Sequence, residues 1–523
     1  MRLRRLPPGV DGQEFARALA AFRAALGEAW VLTEESVGLP GYADPQPIFD
    51  AGHFAACAAL MPGSVEDVQA VMGIAGTYGV PLSPVLPGRD AGFGGAAPRL
   101  PGAVAVDLGR MNRVLAVDAA AGYAVVEPGV TFHDLDTRLG ELGLEYRVDM
   151  AGPRWGSVVG EVLERAGGGA GYEDVPAPPC GMEIVLADGD VVRTGMAALT
   201  GAGRGASVPY GCGPSFGPMF ARSALGVVTK LGVRLRPEPD GHRPYLITLP
   251  REEDLGPLVD ILRPLRMDRT VGDTPTVRSL LLDAAAVGPR SAYYDGPGPL
   301  PDSVARSVMS QLRLGRWNLY GVLSGAPAVM DAQWSVIHDA LAPVPGVRFF
   351  RAGEHDSPAL AAQARRAPGQ PPMQADEADS WLENGGRLDL TPVSPATGED
   401  ALAQYALARD HAHAYGKDYL GAVAVGAREL HHRFMVVFDT LDPADRARTF
   451  ELCGLLVRET AAAGYGIQRA HPALMDQVAA TYGFNDHAVL RLGERIKDAL
   501  DAEGILAPGK HGIWPRRYRG LGL

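Results

Sequence analysis

Residues 84–115 read PVLPGRDAGFGGAAPRLPGAVAVDLGRMNRVL, and the reading of their centre, PGRDAGFGG at 87–95, decides the fold. Four glycines, a proline, an arginine and an aspartate stand in nine positions between two strand-like runs, VPLSPVL and AVAVDLG. A turn needs one or two glycines. Four describe either a bare main chain against which an anion lies, because successive N–H groups in turns form a concave nest for phosphate oxygens, or a structural turn that tolerates no side chains. Neither nucleotide fingerprint fits: there is no GxxxxGK[ST], and Pro98 breaks any helix that GFGGAAPR would open.

Outward from the loop the pattern is α+β. SVEDVQAVMGIAGTYG (64–79) opens with Ser64 and Asp67 at capping-box spacing and puts Val68, Val71, Met72 and Ala75 on one helical face. After the loop come AVAVDLG, RVLAVD and YAVVEPG, which read as short strands. A helix capped by Thr131 and Asp134 follows, then a hairpin around Asp188-Gly189 and a strand in GVVTKLGVRLRP. Hairpins and helices mix here without strand–helix alternation. Beyond Pro237 longer helical and strand patterns begin, and the last sixty residues return to compact signals.

The chain has 523 residues, which predicts two domains. Its 46% hydrophobic and 21% charged residues are those of a globular protein. A formal charge of -12 argues against nucleic acid and anionic membrane as partners. Cys57, Cys180, Cys212 and Cys453 lie too far apart in sequence for metal or redox motifs, so they read as free, mostly buried thiols of a cytoplasmic protein. No apolar run follows the basic N-terminus and none elsewhere is long enough to span a bilayer. The Gly, Pro, Ala and Arg content suggests a bacterial source. DHAHAY (Asp410, His411, His413) reads as a solvated helix face, and no metal site is expected.

The segments SVEDVQAV, PGRDAGFGGAAPR, VDLGRMNRVLAVD and YAVVEPGVTFHDL resemble the FAD-binding domain of the vanillyl-alcohol oxidase and p-cresol methylhydroxylase flavoprotein family. CGMEIVLADGDVVRTGMAAL, PYGCGPSFGPMFARSALGVVTKLGV, GARELHHRFMVVFD, ALMDQVAATYGFND and DAEGILAPGKHGIWP extend the likeness, in the family's order, over most of residues 55–515. They are most similar to the branch of 4-phenol oxidases. The resemblance implies a two-domain PCMH-type fold. An FAD-binding domain at 1–236 would be completed by 464–523, with an α+β cap domain at 237–463. It also implies a homodimer or higher homo-oligomer and a small-molecule substrate.

For the cofactor, the resemblance assigns FAD to the loop Pro87, Gly88, Arg89, Asp90, Ala91, Gly92, Phe93 and Gly94, to Gly156, Ser157 and Gly160, to Gly226, Val227 and Val228, and to Lys510. Arg469 matches the arginine that faces the flavin and stabilises its reduced, anionic form. The other family groups are replaced. The two tyrosines that clamp a phenolate correspond to Phe93 and Gln468, and phenylalanine has no hydroxyl to donate. The aspartate near the flavin corresponds to Gly152. The histidine that carries covalent FAD corresponds to Arg387, and the histidine that assists the attachment to Gln46. Non-covalent FAD and poor turnover of simple 4-alkylphenols are therefore expected. Arg387 then either faces the substrate cavity and holds a carboxylate or other anion, or pairs with a cap-domain acid.

His431 and His432 lie on one strand, where alternation sends them to opposite faces, so only one of the two can reach a cavity as a general base; the alternative for each is a structural histidine. Tyr172 and Glu173 either border the cavity or sit in a loop. Three functions fit. The first is a flavoenzyme taking hydride from an alcohol, amine or activated C–H carbon. The second is a phenol oxidase with a clamp rebuilt from Arg469 and Gln468. The third is a redox-inactive relative using the old cavity.

Overall fold

The computed structural model describes residues 6–50, 52–88, 90–148, 153–164, 180–199, 208–272, 274–366 and 378–520. Arg89, Gly152, Tyr172 and Glu173 lie outside them.

The local rules hold where they were strongest. The helix Val65–Tyr78 is capped by the Ser64 side chain, which accepts from the Asp67 N–H at 3.1 Å, and ends at Gly79 in the left-handed region. Val68, Val71, Met72 and Ala75 are fully buried. Asp67 caps one residue earlier than the box predicts, accepting from the Gly63 N–H. Thr131 and Asp134 form the full reciprocal box on the helix Phe132–Glu141. Asp188-Gly189 turns the hairpin between Met182–Val185 and Val191–Arg193.

Among the described residues three larger sheets form. In the first, Ala59–Leu60, Val104–Asp107 and Leu82–Val85 run parallel, with Val31–Leu32 at one edge. The far end of the chain joins it: the Leu82 N–H donates to Ile505 O and the Ala507 N–H to Leu82 O, both at 2.7 Å. The second sheet is antiparallel, with Val227–Arg234 between Tyr123–Val126 and Met182–Val185. The first sheet's core takes in Val185 and Val227 from the strands of the second, and Leu86, just after the strand Leu82–Val85, packs against the core of the second.

The third, nine-stranded sheet is built from residues between His242 and Ile467. On its strand Glu429–Asp439, Leu430, His432 and Phe434 are buried while Glu429, His431 and Arg433 lie half-buried on the opposite face. The strand's period of two therefore separates the two histidines, as alternation requires.

Among the cysteines, Cys180 and Cys453 are buried, Cys57 is half-buried and Cys212 is exposed; none of the four forms a disulfide. The expectation of mostly buried thiols holds for two of them. No helix among the described residues is long and apolar enough to cross a membrane.

Candidate functional site

A cleft runs where the first two sheets meet the C-terminal tail. Pro87, Gly88, Asp90 and Phe93 form one wall, Gly156, Ser157 and Gly160 a second, and Gly226, Val227 and Val228 a third; Arg469, Lys510 and His511 complete it. The first two walls are stitched together, since the Ser157 N–H donates to Pro87 O at 3.0 Å. Gly88 sits at φ +97, and a Cβ there would lie 2.8 Å from the Gly156 Cα, so main chain meets main chain with no room for a side chain.

The reason for the other loop glycines differs from the sequence reading. A Cβ on Gly92 would fall 2.4 Å from the Asp389 carboxylate, and one on Gly94 would fall 2.6 Å from Pro472. Neither residue lines the cleft, nor does Ala91. Gly92 lets the loop close onto the third sheet, and Gly94 lets it close onto the segment that follows that sheet's last strand. The turn Ala91–Phe93 uses the N–H groups of Phe93, Gly94 and Gly95 to bond back to Asp90 and Ala91 carbonyls. Gly226 is likewise packed, under Ile184 and Phe220.

Ionic groups gather at one end. The Arg469 guanidinium lies 4.0 Å from the Phe93 ring centroid, and its Nη1 is 3.7 Å from Asp90 Oδ2. Lys510 pairs with Glu164 at the end of the helix Val158–Glu164. Burial works against the charged form of Glu164, but Lys510, His511 and Arg469 outweigh it and hold the carboxyl at about 2. Burial pushes His511 down to about 4, and Lys510, Arg222 and Arg469 act in the same direction. His511 Nε2 is buried without a hydrogen-bond partner, 4.0 Å from Glu164. Bare main chain on two walls, cations at one end and a buried ring nitrogen awaiting a partner fit the FAD that the resemblance implies.

Arg387 does not face this cleft. Its side chain is 2% exposed and lies among Asp379 at 3.0 Å, Asp389 at 3.4 Å and Asp90 at 3.5 Å. Of its two expected roles the structure selects pairing with acids. The Arg387 N–H donates to Gln46 Oε1 at 3.1 Å, and Gln46 Nε2 donates to Asp379 at 2.8 Å, so the two positions matched to the flavinylation histidines bond to each other. Arg433 adds a second guanidinium on Asp389, with its Nε at 2.9 Å.

His432 is corrected as a candidate base. It is fully buried, bonded to the Tyr419 hydroxyl at 2.5 Å, and burial pushes it down to about 3. It belongs to the core of the third sheet. His431, on the opposite face, holds Glu429 Oε1 at 3.0 Å. Gln468 does not line the cleft but sits beside Arg469, where its Oε1 accepts from Arg222 Nη1 at 2.9 Å. Arg222, Glu164, His511 and two of the acids around Arg387, Asp379 and Asp389, were not singled out in the sequence. Arg222 lies inside a family-like segment, but no local pattern marks its backbone, which stands at φ +48.

Residues 56–195 match the family described as FAD binding domain, and residues 394–511 match the FAD linked oxidases, C-terminal domain. The chain is 34% identical to the 4-cresol dehydrogenase [hydroxylating] flavoprotein subunit of Pseudomonas putida, over 97% of each chain. It is 28% identical to the 1'-carboxy-chondrochloren decarboxylase of Chondromyces crocatus, over 97% of this chain and 99% of that one. The solved structure of 4-ethylphenol oxidase from Gulosibacter chungangensis superposes with a TM-score of 0.94 at 39% identity, covering 98% of this chain and 100% of that one.

Proposed function

The chain belongs to the vanillyl-alcohol oxidase/p-cresol methylhydroxylase family of FAD-dependent oxidoreductases, and from that premise we propose that it takes a hydride from an alcohol, amine or activated C–H carbon of a small organic substrate, with FAD held non-covalently. The observation that carries the reading is Arg469 on the cleft wall, fixed between the Phe93 ring at 4.0 Å and Asp90 at 3.7 Å.

Bound FAD supplies the two-electron acceptor. Gly88, Gly156, Ser157, Gly160 and the segment Gly226–Val228 would hold it, with Lys510 at the cationic end. Arg469 presents a fixed positive charge where negative charge develops on reduction, and preorganised charge needs no rearrangement at that moment. His431, its ring oriented by Glu429, is the base we assign to the substrate side. The division into an FAD-binding part at 1–236 and 464–523 and a cap at 237–463 is proposed on the same footing, supported by the tail's hydrogen bonds to Leu82.

Non-covalent attachment rests on Arg387. A guanidinium stays protonated and, locked among three carboxylates, is no nucleophile toward a cofactor. Acid precipitation of the purified yellow protein should leave the colour in the supernatant; colour in the pellet would overturn this point. A second reading, a phenol oxidase clamped by Arg469 and Gln468, is favoured by the 39% identity to 4-ethylphenol oxidase. The relative named as a carboxy-compound decarboxylase widens the candidate substrates to those bearing a carboxylate. Anaerobic bleaching separates the readings: rapid reduction by 4-ethylphenol or vanillyl alcohol selects the second, and reduction by non-phenolic alcohols or amines alone selects the first.

A further inference from the structure

His511 lines the cleft, and the reading above leaves it without a task. Its backbone stands in the left-handed region at φ +54, which residues with a β-carbon adopt at a cost and which clusters at functional sites. The helix Met475–Thr481 holds the turn in place. The His511 N–H donates to Met475 Sδ at 3.3 Å, and a Cβ on the next residue, Gly512, would fall 2.3 Å from the Ala479 Cβ. The ring is therefore fixed in the cleft wall. Its Nε2 is buried without a hydrogen-bond partner and lies 4.0 Å from Glu164 Oε2, too far for a hydrogen bond.

The charges around the ring come from every segment packed on it. Burial, above all, and then Lys510, Arg222 and Arg469 hold the imidazole neutral, at about 4, with Glu164 pulling the other way. Glu161 lines the cleft one turn before Glu164 on the same helix. Asp476, on the helix that holds the turn, is engaged by Arg99 and by the Trp514 indole N–H. An unpartnered nitrogen with a carboxylate just beyond reach is one proton short of an ion pair. A negative charge arriving nearby favours that proton, since an opposite charge close by raises a pKa of this kind by about 1–3 units.

We propose that His511 takes up one proton from solvent when the bound cofactor is reduced, holds it against Glu164, and releases it on reoxidation. The proposal rests on the flavoenzyme reading, because the charge that draws the proton is the one that reduction leaves in the cleft. Hydride transfer breaks the substrate C–H bond and carries two electrons and one proton to FAD, adding one negative charge. A proton lost from a substrate hydroxyl or amine leaves separately, through His431. The proton on His511 comes from water through the cleft, where the side chain is 17% exposed, and no further electron moves. Arg469 and Lys510 carry the same charge before and after reduction, whereas an imidazole can change its charge with that of the cofactor.

The test is the pH dependence of the flavin reduction potential in the full-length FAD-loaded protein, wild type against His511→Asn. Asparagine tolerates the left-handed backbone and does not titrate, so the turn is kept while the proton acceptor is lost. One proton taken up per two electrons moves the potential by about 30 mV for each tenfold change in proton concentration. Between pH 5 and 6, above the value of about 4 that His511 has before reduction, the wild-type potential should fall about 30 mV per pH unit more steeply than the variant's. Photoreduction in weak buffer with a pH indicator should record about one proton more per flavin in the wild type. Glu164→Gln keeps the histidine but removes its counterion, and should lose most of the extra slope. His511→Gln repeats the comparison if the asparagine variant loses FAD. Parallel slopes, equal proton uptake, or an undiminished extra slope in Glu164→Gln would each overturn the role of His511 and leave the flavoenzyme reading standing. A wild-type protein that takes up no FAD overturns both.

Discussion

Replacing Arg387 with methionine removes the cation from a buried ionic cluster while keeping an unbranched stem. Arg387 is 2% exposed, and its partners Asp389 and Asp90 are 0% and 7% exposed; Asp379, at 32%, is wetter and matters less. Arg433 still neutralises part of Asp389, and Asp90 keeps Arg433 at 3.9 Å and Arg469 at 3.7 Å, both more distant than Arg387. Truncating one partner of a buried pair leaves an uncompensated charge and costs about 3–5 kcal/mol. The damage reaches the site, because Asp90 both belongs to the cleft wall and anchors Arg469. Thermal unfolding followed by circular dichroism, with FAD release followed by flavin fluorescence, should therefore show a lower midpoint and earlier release in Arg387→Met. A variant as stable as the wild type, or one that releases FAD no earlier, would refute the account of Arg387 as counterion to a buried acid cluster.

Three further outcomes follow from other buried groups. His432 is held at about 3 against an ordinary 6.5, so its contribution to stability is complete above about pH 6.5 and is lost as pH falls toward 3. At pH 4.5 the wild type should have lost about 2–3 kcal/mol through this group. His432→Asn should show a smaller drop in melting temperature between pH 7.5 and 4.5, and equal drops would contradict it. Lys497, fully buried, donates to Ala224 O at 2.6 Å and to Leu506 O and pairs with Asp501 at 2.7 Å, clamping two segments of the cleft wall. Lys497→Met should cost about 3 kcal/mol and lose FAD on desalting; full FAD retention at an unchanged melting temperature would rule out the clamp. Arg469→Met should make the flavin reduction potential about 20–40 mV more negative, the equivalent of one modest ionic interaction for two electrons. An unchanged potential would remove Arg469 from the cofactor's electrostatics.

Much of the architecture was legible because its signals are local. A hydroxyl three residues before an acid caps a helix, Asp-Gly turns a hairpin, and alternation along a strand parts His431 from His432, whatever the rest of the chain does. The order of the glycine loop, the strand motifs and the APGKHG tail carried the family and the cofactor in the same way. The glycine loop itself was half legible. Gly88 is bare because the cleft's walls meet there, while Gly92 and Gly94 are bare because Asp389 and Pro472 press on them from parts of the chain far away in sequence.

What the resemblance carried by the order of the motifs established alone is the kind of protein: an FAD-linked oxidoreductase with a two-domain PCMH-type fold. What only the tertiary structure decided is the partner of each charge. Arg387 could have met a substrate or an acid, and the choice depended on Gln46, Asp379, Asp389 and Asp90 converging on it from up to 341 residues away. Arg222 carries no local mark at all. Its guanidinium meets Gln468, 246 residues further on. Ion pairing acts through space with no period along the chain, so its geometry exists only once the chain has folded.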